Sequence, residues 1–245
     1  MPMPMRCLVI GGTGSIGGAL CERLAGDGVS VAFTYHQNEN RARELATRLG
    51  VKGFAACDLR QSNRIRPILE ELIGKLGGLD GLICAAGIPG ISERKFDLEL
   101  KDLEAGDIDA CFEVNARGAL LACQVAVNAL KAAKRGNIVM MGSMDGVKTV
   151  PSPIHFATSK AALKGMVESM SKELGEHDIK VNLLIPGIVE GGASRFLTDD
   201  LRTKYLKHCS MKRFAKPAEV AEVAAWFALE NTYVTGQSIL MNGGL

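Results

Sequence analysis

Apolar and polar residues follow two periods along this chain, and the two periods alternate from one segment to the next. Short apolar runs predict strands at residues 7–10, 29–35, 52–56, 81–85, 137–142, 180–185 and 238–241. Between them, apolar residues at helical spacing predict helices at 19–25, 39–49, 65–76, 107–133, 157–176 and 218–228. Strands separated by helices of this length are typical of βαβ units, whose strands lie parallel in one sheet.

The order of these elements predicts an α/β fold of the Rossmann type, a doubly wound parallel sheet with helices on both faces and right-handed crossovers. No Pro/Ser-rich linker divides the chain, so residues 1–245 are expected to form a single domain. Two long stretches, 87–106 and 187–210, have no clear period and follow predicted strand ends. An open α/β sheet places its ligand crevice there, so we expect both to border the site.

Composition limits the classes of function. The chain is 47% hydrophobic and contains 28 Gly, which suits helices packed closely on a buried sheet. A net charge of +2 without a basic run gives no reason to expect nucleic-acid binding. We also expect no membrane span, because no stretch of 18 apolar residues occurs. The segment before the first strand is too short for a signal peptide, which favours a cytoplasmic location.

The seven Cys are scattered and form no C-x-x-C pair or zinc-like cluster with His. This usage predicts buried thiols in a reducing compartment and no metal site.

A glycine-rich segment, Gly11-Gly12-Thr13-Gly14-Ser15-Ile16-Gly17-Gly18, joins the first predicted strand to the first predicted helix. Glycine allows a tight turn and lets backbone amides approach a diphosphate, and the helix N-terminus adds partial positive charge. After the first strand of a βαβ chain, this arrangement predicts a dinucleotide site.

The end of the second predicted strand bears on the choice of cofactor. The segment Thr34-Tyr35-His36-Gln37-Asn38 contains no acid that would bind the ribose 2′-hydroxyl of NAD, and Arg41 follows. A 2′-phosphate would meet positive charge there, so NADP is favoured over NAD.

On these motifs the chain resembles the short-chain dehydrogenase/reductase family over essentially its whole length, and it looks closest to the ketoacyl-carrier-protein reductases. The loop Gly11-x-x-Gly14-x-x-Gly17 is similar to that of the extended branch, and Cys84-Ala85-Ala86-Gly87 stands where Asn-Asn-Ala-Gly is usual. The resemblance implies about seven parallel strands, a dimer or tetramer, and hydride transfer between a nicotinamide and a carbonyl or alcohol.

The resemblance also implies the site residues. Those for the cofactor would be Gly11, Thr13, Gly14, Ser15, Ile16, Gly17, Tyr35, His36, Asp58, Leu59, Ala85, Ala86, Gly87, Lys160, Pro186, Gly187 and Val189. Ser143 would be the catalytic Ser, Lys160 the Lys that binds the ribose, and Asn115 the residue that supports a proton-relay water.

One position departs from the family. The Tyr-x-x-x-Lys motif reads Phe156-Ala157-Thr158-Ser159-Lys160, with the family's usual spacing from Ser143, so Phe156 takes the place of the catalytic Tyr. Phenylalanine keeps the ring but lacks the acid that gives the proton.

Three explanations remain open. Phe156 is a substitution made to trap a bound complex, or a natural residue in an enzyme that uses another acid, or a mark of a non-catalytic dinucleotide-binding or scaffold protein. The alternative acids are His155, Tyr205 and a water held through Lys160.

The sequence therefore predicts an NADP-dependent ketoreductase whose activity Phe156 weakens or alters, with a small-molecule or carrier-bound 3-oxoacyl thioester or polyketide-like substrate. Segment 191–211 is expected to cover that substrate with an apolar face of Leu197, Leu201, Tyr205 and Leu206. Arg117, Arg195 and Arg202 are candidates to receive the acidic residues of a carrier protein.

Overall fold

A computed structural model describes residues 4–89 and 99–245, and their strands form one parallel sheet. The order of its seven strands is β3-β2-β1-β4-β5-β6-β7, and every neighbouring pair is parallel. The strands are β1 (Arg6–Ile10), β2 (Ser30–Tyr35), β3 (Gly53–Ala56), β4 (Gly81–Cys84), β5 (Gly136–Met141), β6 (Ile179–Pro186) and β7 (Ser238–Met241). The predicted doubly wound α/β fold is confirmed.

Helices cover both faces of the sheet. The helices are α1 (Ser15–Gly26), α2 (Glu39–Leu49), α3 (Ser62–Leu76), α4 (Ala105–Cys111), α5 (Ala119–Ala132), α6 (Ile154–Leu174), α7 (Asp199–His208) and α8 (Pro217–Leu229). Leu8 and Ile10 of β1 point into the core formed with α3, α5 and α6, while Cys7 and Val9 point into the core formed with α1, α2 and α8. This alternation explains why the strands are apolar without a period, since both of their faces are buried.

The strand order places the ligand crevice. The chain runs outward from β1 to β2 and β3 on one side, and returns to continue from β4 on the other. Where the order reverses, the connections after β1 and β4 leave in opposite directions and open a crevice at the carboxyl ends of the strands. The glycine-rich segment after β1 lies at this point.

Two segments predicted to be irregular contain helical structure. Residues 187–210 include a 3-10 turn (Gly192–Phe196) and α7. The side chain of Thr198 caps the N-terminus of α7 by accepting from the N–H of Leu201. Residues 199–208 show only a weak helical period of apolar positions because α7 is largely exposed, so this helix was not predicted from the sequence. In 87–106, a 3-10 turn occupies Leu100–Asp102 and α4 begins at Ala105, while residues 90–98 lie outside the described residues.

The long helix predicted over 107–133 is present in three parts, because a π-helical turn (Phe112–Gly118) separates α4 from α5. By length and hydropathy the stretch Ala105–Ala132 would pass as a membrane span, but more than half of its most apolar window is buried. Ala122, Ala126 and Leu130 pack in the core with α3 and the sheet. The stretch is therefore accounted for as a core helix of the domain.

Candidate active site

The turn between β1 and α1 is closely packed at two of its glycines. Gly11 has a φ of +89°, and a Cβ there would lie 2.8 Å from the Cα of Ala86. A Cβ on Gly17 would overlap the carbonyl oxygen of Gly11. The predicted glycines are therefore required by the backbone itself, which folds back against the first turn of α1.

The first turn of α1 is left without a side-chain cap. Gly14 is its N-cap residue, and α1, which the structure describes in full, carries no acidic side chain in this turn. The first N–H groups of a helix have no partner inside the helix and carry partial positive charge. Gly14, Ser15, Ile16 and Gly17 line a large cleft, so these groups fit a diphosphate.

The Gly17→Ala variant is expected to bind a nicotinamide dinucleotide about 10- to 100-fold more weakly. The added methyl group has no room beside the Gly11 carbonyl oxygen, so the loop must move to accommodate it, at a cost of about 1–3 kcal/mol. Titration of cofactor fluorescence measures the dissociation constant. The matched control is Gly18→Ala in the same helix, where the added Cβ would lie 3.5 Å from the carbonyl oxygen of Gly12, an ordinary contact. Equal affinities in the two variants would contradict a role for this loop in binding.

The cleft lies at the carboxyl ends of the central strands and has a volume of about 1280 Å³. A small-molecule pocket usually measures roughly 300–1,000 Å³, so this one has room for a cofactor together with a substrate. The predicted site residues that line it are Gly14, Ser15, Ile16, Gly17, Ala85, Gly87, Ser143, Phe156, Lys160, Pro186, Gly187 and Val189. The fold thus brings together residues from separate segments along most of the chain.

The residues predicted for the adenine end are not among those that line the cleft. Tyr35 ends β2, and His36 is exposed with its Nε2 3.7 Å from Oδ2 of Asp58. Hydrogen bonds from Arg60 lower the pKa of Asp58, so this carboxyl already has cationic partners. Leu59 is buried in the core, so only its backbone can face a ligand.

Ser143 is held at the end of β5 by a short turn. Its backbone is extended, and a 3-10 turn (Met144–Gly146) follows directly. Its hydroxyl donates to Oδ2 of Asp145 at 2.6 Å. Asp145 also lines the cleft, although no sequence motif singles it out. An acid two residues after Ser143 was the only signal for it.

Phe156 and Lys160 lie one turn apart on α6 and both face the cleft. Lys160 Nζ is 6.0 Å from the centre of the Phe156 ring and donates to the carbonyl oxygen of Met141 at 3.0 Å. Burial lowers the pKa of Lys160 to about 8, although nearby Cys111, Cys84 and Asp145 favour its charged form. A buried ammonium with one such bond retains donors for a ligand's hydroxyl groups.

Asn115 connects the π-helical turn to the strand end beside the cleft. Its Oδ1 accepts from the N–H of Ile88 at 2.8 Å, and its Nδ2 donates to the Ile88 carbonyl and to Oγ of Ser159. These bonds use both Nδ2 protons and one of the two acceptor positions of Oδ1, so the side chain can accept from a relay water but has no proton to donate to it. Irregular π-turns recur at functional sites, and this one places Asn115 under Gly87 and Lys160.

Two of the three alternative acids named from the sequence, His155 and Tyr205, are poorly placed. His155 is buried and is not among the residues that line the cleft. Tyr205 borders the cleft, but its hydroxyl accepts from the N–H of Ile188 and donates to the Asn242 carbonyl. Burial also raises the pKa of Tyr205, which makes it a weaker acid.

The segment expected to cover the substrate borders the cleft through Leu197, Leu201 and Tyr205. Leu206 instead packs in a small core with Met144 and Cys209.

Of the three arginines proposed for a carrier protein, Arg202 is held within the fold. Its guanidinium donates to the carbonyls of Leu197 and Ser194 and lies 5.8 Å from the Phe214 ring centre. Arg117 pairs with Glu113 at the surface, and Arg195 is exposed and donates to the Gly192 carbonyl.

All seven cysteines are buried and unbridged, as the sequence predicts. Burial raises the pKa of Cys7 and of Cys21 to about 12, which leaves these thiols unreactive. Within residues 4–89 and 99–245, no three His, Cys, Asp or Glu side chains are grouped so as to hold a metal ion.

Comparison with known proteins gives matches over almost the entire chain. The family described as enoyl-(acyl carrier protein) reductase matches residues 11–245. The 3-oxoacyl-[acyl-carrier-protein] reductase FabG of Aquifex aeolicus is 31% identical over 97% of this chain and 96% of its own length. Carbonyl reductase family member 4 of Xenopus laevis is 30% identical over 98% of this chain and 97% of its own length.

Solved structures agree with the fold. The TT0495 protein of Thermus thermophilus superposes with a TM-score of 0.89 at 30% identity, covering 99% of this chain and 98% of that one. A blue fluorescent protein from a metagenomic library, solved in complex with NADPH, gives a TM-score of 0.89 at 27% identity, covering 98% and 97%.

Proposed function

The chain belongs to the short-chain dehydrogenase/reductase family, and from this premise we propose that it is an NADP-dependent ketoreductase acting on a 3-oxoacyl thioester or a similar ketone. The observation that carries the proposal is the convergence of the uncapped first turn of α1 with Ser143 and Lys160 on one cleft. The curated relatives are named as a 3-oxoacyl reductase and a carbonyl reductase, which supports this reaction class.

The residues present fit a nicotinamide dinucleotide. The N–H groups of Ser15, Ile16 and Gly17 would hold the diphosphate, and Lys160 would hold the nicotinamide ribose. Exposed Arg41 follows β2 and would meet a 2′-phosphate with positive charge, and exposed His36 beside it would supply a polar ring nitrogen, which supports NADP over NAD. The likeness to an NADPH-bound structure supports the same choice.

When bound, the reduced cofactor supplies a hydride. The chain must then hold the substrate carbonyl and stabilise the negative charge that develops on its oxygen. The Ser143 hydroxyl is the group at the end of β5 that can donate to this oxygen. The buried ammonium of Lys160 would stabilise the same negative charge on the carbonyl oxygen. Apolar Val150, Ile188 and Leu201 also line the cleft and would contact an acyl chain.

The proposal is tested by mixing the protein with NADPH and a 3-oxoacyl thioester and following nicotinamide absorbance, with binding of NADPH and NADH titrated in parallel. We expect measurable oxidation of NADPH and tighter binding of NADPH than of NADH. Tighter binding of NADH would overturn the cofactor choice, and failure of both cofactors to bind would overturn the function.

If the acyl group is carried by a protein, neutralising Arg117 and Arg195 together is expected to raise KM for the carrier-bound substrate about two- to fivefold, the size of a few exposed charge pairs. KM for a small thioester should not change. The matched control is Arg48→Ala on α2, another exposed, ion-paired arginine. A rise for both substrates, or for neither, would argue against a carrier surface here.

Phe156 favours a second candidate function, a dinucleotide-binding protein without catalysis. Such a protein would bind NADPH with an intact glycine loop and Lys160 but would not oxidise it in the presence of any ketone. The absorbance assay separates the two functions.

We also propose that the protein acts in the cytoplasm as a homodimer or homotetramer. Exposed Ile108, Phe112 and Leu120 on the π-interrupted helix, and exposed Trp226 and Leu240 near β7, support self-association. Light scattering after size exclusion measures the mass in solution.

A further inference from the structure

An acid is joined to the candidate catalytic serine inside the cleft. Oδ2 of Asp145 and Oγ of Ser143 are 2.6 Å apart, and both residues line the cleft beside Lys160 and Phe156. A hydrogen bond of this length forms either when the Ser143 hydroxyl donates to an ionised carboxylate or when a protonated carboxyl donates to the Ser143 oxygen. Asp145 is therefore in contact with the group that would face a substrate carbonyl.

The turn that carries Asp145 is fixed against α6. A Cβ on Gly146 would lie 2.7 Å from the N of Ala161 and 2.8 Å from the carbonyl carbon of Lys160, so the turn and the helix touch through their backbones. The Gly146 N–H also donates to the Ser143 carbonyl at 3.1 Å. Asp145 is therefore held in place next to Lys160, rather than presented on a free loop.

The number of available protons decides what Ser143 can do. A serine hydroxyl has one proton, and an ionised carboxylate can only accept. While Asp145 is ionised, the Ser143 hydroxyl donates its one hydrogen bond to the carboxylate and has no donor left for a substrate oxygen. If Asp145 is protonated, it donates to Ser143 Oγ, and the serine proton is free to point at the carbonyl.

We propose that Asp145 is the proton donor of this site and delivers its proton through Ser143 to the substrate oxygen, in place of the phenol that Phe156 lacks. The inference rests on the proposed reductase function. The carbonyl carbon gains a hydride with its electron pair from the reduced dinucleotide, which is oxidised. The π bond of the carbonyl breaks, its oxygen takes the Ser143 proton, and Ser143 takes the Asp145 proton. The carboxylate regains a proton from water entering the cleft.

The surroundings favour a protonated Asp145. Burial raises the pKa of its carboxyl above the ordinary range, against the opposing effects of the Ser143 hydrogen bond and the Lys160 charge. Other charged or titratable side chains that line the cleft are Lys148 after the turn and Asp200, Lys204, Tyr205, Lys207 and His208 of α7. Since the acid form is required, ketone reduction should fall as pH rises through the pKa of Asp145, and alcohol oxidation should rise.

The test is Asp145→Asn, which keeps a donor to Ser143 but has no proton to transfer. We expect kcat for ketone reduction to fall about 10²-fold or more, the usual contribution of a general acid, with unchanged NADPH affinity. Infrared difference spectra between acidic and alkaline pH should show the carbonyl stretch of a protonated acid, and Asp145→Asn should lack this band. The matched control is Asp199→Asn, an exposed acid of α7 that does not line the cleft, which should change neither readout.

A double variant, Phe156→Tyr with Asp145→Asn, guards against misfolding, because the tyrosine supplies a second acid and should restore the rate. An Asp145→Asn protein that keeps both its rate and its infrared band would overturn the proposal and leave the reductase function standing. If Phe156→Tyr binds NADPH but reduces no ketone, the reductase function itself is overturned, and the role of Asp145 with it.

Discussion

In an Asp145→Asn background, the Phe156→Tyr substitution is expected to speed reduction of a 3-oxoacyl thioester about 10²–10⁴-fold, the range that a general acid usually contributes. The substitution adds one hydroxyl to a ring that already lines the cleft, one helical turn from Lys160. The nearby ammonium would lower the pKa of the new phenol and make it a better donor. Direct donation from the ring would then replace a route through Ser143 and Asp145.

Initial rates of NADPH oxidation measure this effect, with NADPH affinity titrated alongside. The matched control is Phe156→Leu, which changes the ring without adding an acid and should give no gain. Phe156→Tyr protein that binds NADPH as before but gains no activity would favour the non-catalytic function. A small gain over an already substantial rate would instead indicate a proton donor other than Asp145.

The Lys160→Met variant is expected to lose function and gain stability. Without the ammonium, NADPH should bind more weakly and ketone reduction should fall about 10²-fold or more, since a charged hydrogen-bonding group in a buried site is lost. The free energy of unfolding at neutral pH should rise by about 1–3 kcal/mol, because an apolar side chain replaces a buried charge. The cause is visible in the pKa of Lys160, which burial lowers to about 8.

Chemical denaturation across pH checks this prediction. Burial lowers the pKa of Lys160 to about 8 in the folded chain, whereas the ordinary value of 10.5 applies when the chain is unfolded. Between these two pH values the unfolded chain therefore binds more protons than the folded one. The contribution of Lys160 to unfolding free energy must therefore rise with pH over this window, and Lys160→Met should lack that rise. The matched control is Lys164→Met one turn further along α6, where the lysine is exposed and paired with Glu168. Equal changes in the two variants would contradict a special cost of charge at position 160.

Much of the fold could be predicted from the sequence because the sheet is buried on both faces. Short apolar runs such as 138–141 in β5 and 183–185 in β6 are typical of strands buried on both faces, and the helices between the strands show one apolar face. The same pattern failed for α7, whose exposed surface leaves too few apolar positions to form a period. The break in the long helix at Phe112–Gly118 was also missed, since a π-turn adds a residue without changing composition.

The sequence by itself determined the parallel α/β fold, the glycine loop and the presence of Ser143 and Lys160 with phenylalanine between them in the motif. These features are local or periodic, and neighbouring residues are enough to specify them. Only the tertiary structure decided that Tyr205 is already hydrogen-bonded, that His155 lies off the cleft, and that Asp145 contacts Ser143 beside a desolvated Lys160. Burial and hydrogen-bond partners depend on segments distant in the chain, and they set the charge states on which proton transfer depends.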